Sequence, residues 1–131
     1  MPGDRRTHKS YELYCCFALN RLASELNLSL DQPDIEQKLD GALQAQKGLS
    51  KSDIQYEIKS NNFMTNKVLE KLVKEALVQV ERTQAGYQIR ITKAGILHVR
   101  NYNSFYWQMF NEHIKEHYRF GRLPIWFERL G

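Results

Sequence analysis

Cysteine is scarce in this 131-residue chain: there are two, and they are neighbours, Cys15 and Cys16. Adjacent cysteines bridge each other only through strained geometry. No disulfide framework is expected, and a reducing compartment, the cytoplasm, fits best. No apolar run approaches the roughly 20 residues that a membrane-spanning helix needs. Residues 14–19 are apolar, but the run is short and is followed by Asn20 and Arg21, so no signal peptide is read. Catalytic signatures are also lacking. There is no G-x-S-x-G, no phosphate-cradling glycine loop and no H-E-x-x-H. The paired carboxylates read as lying on solvated helix faces. The expectation is a non-enzyme with no cofactor and no membrane partner.

What is present is the composition of one soluble globular domain, 26% charged and 42% hydrophobic. The net charge of +4 and the isoelectric point near 9.1 permit a polyanionic partner without requiring one. Residues 1–9 are polar and read as a loose arm carrying Arg5, Arg6 and Lys9. Ser10 suits an N-cap. Leu13, Tyr14, Phe17, Ala18, Leu22 and Leu26 follow at helical spacing, and Cys15, Cys16 and Leu19 widen the apolar face. A helix apolar around its girth needs cover on several sides, either at the centre of the fold or against a second subunit.

Pro33 suits the first turn of a second helix carrying Ile35, Leu39, Ala42 and Leu43, ended by Gly48. Ser50 with Asp53 three residues on resembles a capping box for a short third helix with Ile54 and Ile58 on one face. Ser60, Asn61 and Asn62 make a polar break. Thr65 then reads as the N-cap of a fourth helix with Val68, Leu69, Leu72 and Val73 inward. Leu77, Val78 and Val80 shift to an extended pattern, and Tyr87, Ile89 and Ile91 alternate, with a turn over residues 83–86 between the runs. Thr92 can cap a long last helix whose stripe includes Ile96, Val99, Tyr102, Phe105, Tyr106, Met109 and Phe110. The expected fold is mainly α with a small two-stranded antiparallel hairpin. Residues 1–30 form an arm and helix, 31–95 a central unit, and 96–131 a helix and aromatic tail, all in one compact domain.

Three phrases in this order carry a family resemblance. Leu49, Ser50 and Ile54 match the start of a helix-turn-helix. Leu72-Val73-Lys74-Glu75-Ala76-Leu77-Val78 is similar to the Leu-Val-Lys-x-Gly-Leu-Val pattern that ends a recognition helix, with Ala76 in place of glycine. Ile91-Thr92-Lys93-Ala94-Gly95 is similar to the step from wing to following helix. The chain therefore resembles the winged helix-turn-helix superfamily over about half its length, with flanking helices like those of MarR-like and PadR-like dimeric regulators. The resemblance implies sequence-specific binding of double-stranded DNA, with a homodimeric transcriptional regulator as the biological form. In this motif the N-terminal residues of the recognition helix enter the major groove. That points to Thr65, Asn66 and Lys67 as base-edge readers, since asparagine pairs with adenine and lysine with guanine. Lys71 and Lys74 fall toward phosphate, as do Ser50, Lys51 and Ser52 at a helix start. Arg82 and Arg90 flank the hairpin turn and can reach backbone or minor groove.

Charge is partly segregated. Residues 83–100 contain Arg90, Lys93 and Arg100 and no acid, whereas Asp31, Asp34, Glu36 and Asp40 outnumber the two lysines of residues 31–48. Glu57, Glu70, Glu75 and Glu81, spread through the motif, keep a second reading open: a winged-helix module that binds protein rather than DNA. His113 and His117, one turn apart, have the spacing of a zinc pair. Their place on the apolar stripe fits buried or interface histidines, the commoner outcome. Cys15 and Cys16 read as core thiols more than as redox or metal sensors. The aromatic last third suits a subunit interface, scattered core or a ligand pocket.

Overall fold

The structure, a computed structural model, describes residues 2–28, 33–84 and 86–109. It is mainly helical with one small antiparallel sheet. The order is α1 (Pro2–Ser24), α2 (Ile35–Ala45), α3 (Lys51–Glu57), α4 (Asn62–Lys74), β1 (Val78–Thr83), β2 (Gly86–Ile91) and α5 (Lys93–Met109). The expected loose arm is replaced by helix: α1 starts at Pro2, because no proline after Pro2 and no glycine after Gly3 interrupts it. His113, His117, Phe110 and the aromatic tail lie outside the described residues.

Helix α1 is the axis of the core. It packs against α5, α4, α3 and β2, which buries every residue from Cys15 to Asn20. Of the two covers open to so apolar a helix, the chain's own elements supply the first. Leu13, Phe17 and Leu22 are fully buried, each contributing about 1.5–3 kcal/mol against an exposed position. Ile35 and Leu39 of α2, Ile54 and Ile58 around α3, Val68 and Leu72 of α4, and Ile96 and Val99 of α5 complete the same core. No helix among the described residues is long and apolar enough to cross a membrane.

The hairpin pairs Val78 with Ile91 through Thr83 with Gly86, leaving residues 84 and 85 as the connection. The edge of β2 does not stay open at its base. Leu49 exchanges both backbone hydrogen bonds with Ile89, at 2.9 and 2.7 Å. One rung on, the buried Gln46 side chain imitates a strand. Its Nε2 donates to the Ile91 carbonyl at 2.8 Å and its Oε1 accepts from the Ile91 amide at 3.2 Å. Gly48, between them, has φ +85°, and a Cβ there would sit 2.6 Å from the Ile89 carbonyl oxygen. The chain thus turns from α2 into α3 by hugging the hairpin.

Both ends of the α3–α4 pair are closed by left-handed residues. At Lys59 (φ 55°) the amide bonds back to Tyr56 and that of Ser60 to Gln55. At Ala76 (φ 60°) the amide bonds to Val73 and that of Leu77 to Leu72. Both follow the Schellman pattern, which favours glycine at the left-handed position. An L-residue with a Cβ is disfavoured there by about 1–2 kcal/mol, against which a glycine costs about 0.5–1 kcal/mol of added unfolded-state entropy. Ala76→Gly is therefore expected to raise stability by about 0.5–1 kcal/mol, read as a higher midpoint in a thermal melt. A lower midpoint would contradict this account of the turn.

Candidate nucleic-acid interface

The turn between α3 and α4 is built from short polar side chains. Ser50 caps α3: its hydroxyl accepts from the Asp53 amide at 3.0 Å and the Asp53 carboxylate accepts from the Ser50 amide at 3.4 Å. Asn61, not Thr65, caps α4, with Oδ1 accepting from the Met64 amide at 2.7 Å. Thr65 lies a full turn inside and is 0% exposed. Its hydroxyl donates to the Asn61 carbonyl at 2.7 Å and meets the Ser60 hydroxyl at 2.6 Å. Thr65 therefore holds the turn and does not face out to read a base. The helix begins at Asn62 because Asn61 offers the better cap, with extended backbone and a free amide oxygen.

With that shift, α4 sorts cleanly by face. Thr65, Val68 and Leu72 point into the core. Asn62, Phe63, Asn66, Lys67, Glu70, Val73 and Lys74 are exposed, a stripe at the three- and four-residue spacing of one helix side. Lys67 Nζ sits over the Phe63 ring, 5.3 Å from its centroid. Lys71 departs from the expected phosphate role. It faces α1 and donates to Glu12 at 2.7 Å, a hydrogen bond that raises its pKa and ties α4 to the central helix.

The hairpin stands beside this stripe. Arg82 is exposed near the turn, its guanidinium 5.9 Å from the Tyr87 ring centroid. Arg90 does not flank the turn. It pairs in register with Gln79 at the hairpin base and makes an ion pair with Glu81 at 3.3 Å. Between helix and hairpin runs an open groove of about 660 Å³, lined by Lys51, Asn66, Val73, Lys74, Val80 and Tyr87 among others. Tyr87 shares the parity of the buried Ile89 and Ile91, yet it is 54% exposed, because the strand runs past the end of the core. Of the sequence candidates, Lys51, Asn66 and Lys74 converge on this groove and Lys67 adjoins it on the outer stripe. Arg82 lies at the hairpin tip, and Ser52 is exposed on α3.

Two thiols and two amides are buried along α1 and α5. Cys15 and Cys16 are buried. Burial pushes the Cys15 thiol up to about 12 and the Cys16 thiol well above its ordinary value, so both stay protonated and unreactive at neutral pH. Sequence reading missed Asn20 and Asn103, which are 2% and 1% exposed. Asn20 Nδ2 donates to Asn103 Oδ1 at 2.9 Å, and Asn103 Nδ2 donates to Asn20 Oδ1 at 2.6 Å. Asn20 Nδ2 also reaches the Cys16 carbonyl at 2.8 Å. The signal was available: each asparagine occupies a core position of its helix, one turn from Cys16 and Val99 respectively. The same observation corrects the α5 stripe. Its inner face is Ile96, Val99 and Asn103 with part of Tyr106, while Tyr102 and Phe105 are 48% and 57% exposed.

Comparison with protein families, with curated proteins and with solved structures returned no match to this chain. Among the described residues no group of His, Cys, Asp and Glu side chains is arranged to hold a metal ion.

Proposed function

We propose that this chain is a winged helix-turn-helix protein that binds double-stranded DNA in a sequence-specific manner and serves as a dimeric transcriptional regulator. The observation that carries this reading is the exposed stripe of α4, bearing Asn62, Asn66, Lys67 and Lys74, standing clear of the core with a hairpin beside it. Asn66 and Lys67 are the base-edge candidates, and Lys51, Lys74 and Arg82 the phosphate candidates. The bridge from Leu49 to Ile89 supports the winged-helix assignment by seating the hairpin against the start of α3. Exposed Tyr102 and Phe105 on α5 support a second copy as the cover for that helix.

A second reading is favoured by one observation. Val73, Val80 and Tyr87 form an exposed apolar edge on the groove, with Glu70 nearby, as a surface that docks a protein would. Fluorescence polarisation on a duplex recovered from a random library separates the two. On the DNA reading Asn66→Ala lowers affinity by about tenfold or more and relaxes choice at one base, while Lys74→Ala weakens all duplexes alike and cuts the salt slope by about one. No affinity for any duplex at low salt would leave the protein-docking reading in its place.

A further inference from the structure

We infer that Phe63 is a specificity-determining residue, reading the 5-methyl group of a thymine in the major groove next to the base pair met by Asn66. This rests on the DNA-binding reading and names the sequence class it serves, a site with adjacent A·T pairs. Phe63 is the second residue of α4 and is 69% exposed. It does not belong to the apolar edge of Val73, Val80 and Tyr87, which lies two to three turns further along and on the hairpin. Its neighbours along the helix are three amides and one cation, Asn61, Asn62, Asn66 and Lys67, with no acidic residue from position 60 to 69. An aromatic ring flanked on its helix by amides and a lysine fits a polyanion that also presents a small apolar group, and duplex DNA offers one such group in its major groove, the thymine methyl.

The spacing agrees. Phe63 and Asn66 are three residues apart on one helix face, an axial separation of about 4.5 Å, close to the rise of about 3.4 Å between neighbouring base pairs. Asn66 pairs with an adenine edge and Phe63 covers the methyl of the adjoining pair. Lys67, over the ring at 5.3 Å, braces it and carries its charge toward guanine or phosphate on the flank.

The test starts from a duplex that the full chain selects from a random library. Each thymine of that duplex is replaced in turn by deoxyuridine, which keeps the base pair and removes only the methyl. One thymine adjacent to an Asn66-sensitive A·T pair is expected to lose about fourfold in affinity, the equivalent of one methyl returned to water. In Phe63→Ala the same replacement changes affinity by less than about 1.5-fold, and Phe63→Leu restores part of the dependence. Phe63 is exposed, so unchanged melting midpoints show that these variants are folded. Methyl independence at every thymine, or a dependence that persists in Phe63→Ala, overturns the inference while leaving DNA binding intact. Selection of no duplex by the wild-type chain removes the DNA reading itself, and Phe63 then belongs to a protein contact.

Discussion

Gly95→Ala is expected to destabilise the protein by about 3 kcal/mol, lowering the thermal midpoint by roughly 10 °C. Gly95 is buried in the first turn of α5, where an added Cβ would collide with the Leu77 carbonyl oxygen and come within 2.6 Å of Ile91 Cγ1. The collision is with backbone on one side and a buried side chain on the other, so no rotamer change relieves it. The close approach is imposed by Thr92. Its amide donates to the Leu77 carbonyl at 3.0 Å and its hydroxyl to the Ala76 carbonyl at 2.7 Å, while that hydroxyl also accepts from the Gly95 amide at 3.1 Å. One threonine thus caps α5 and pins it to the end of α4. Gly41→Ala is the control: a Cβ there meets nothing within 4 Å, and in the middle of α2 it should stabilise by about 0.5–1 kcal/mol. Equal melts for the two variants would show that the α5–Leu77 contact is not a constraint.

Asn103→Leu should cost nearly as much, about 2–3 kcal/mol, because it strands the Asn20 side chain in the core. Asn20 Nδ2 keeps the Cys16 carbonyl, but its Oδ1 loses the 2.6 Å bond from Asn103, and a buried acceptor without a donor carries its full desolvation penalty. The double variant Asn20→Leu, Asn103→Leu removes both polar groups and should be more stable than either single one. That sign, opposite to additivity, identifies a reciprocal pair. Chemical denaturation of the four proteins measures it, and single-variant costs that add in the double would rule the pairing out. The cost of such a pair is weighed against specificity: it fixes the register of α1 on α5, since a slip by one turn would leave both amides unmatched. Denaturation of the wild type should therefore report α1 and α5 as one cooperative unit.

Much of the fold was legible along the chain. Helical spacing gave Phe17 and Leu22 in α1 and Val68 and Leu72 in α4, and alternation gave Ile89 and Ile91. Ser50–Asp53 was readable as a capping box, because each of these signals is local: period, cap and turn depend on residues within a few positions. The misreadings were also local. Thr65 and Asn61 both suit an N-cap; Asn61, the stronger cap type, takes the Met64 amide, and Thr65 is buried against Ser60. Tyr102 and Phe105 read as part of the apolar stripe of the last helix, yet the inner face of α5 includes Asn103 in their place, because hydrophobicity ranks a phenylalanine above an asparagine whatever partner waits for it.

Composition, periodicity and punctuation by themselves determined a mainly helical chain with one hairpin, the short step between α3 and α4, and the position of Thr92 and Gly95. Only the tertiary structure decided which way each lysine faces. Lys67 and Lys74 lie on the outer stripe of α4, whereas Lys71, four residues from Lys67, faces α1 and pairs with Glu12 at 2.7 Å. It likewise decided that Asn20 meets Asn103, 83 residues away. The reason is physical: hydrogen bonding within a helix or a hairpin is written in neighbouring residues, while the partner of a charge or a buried amide is set by which distant element folds against it.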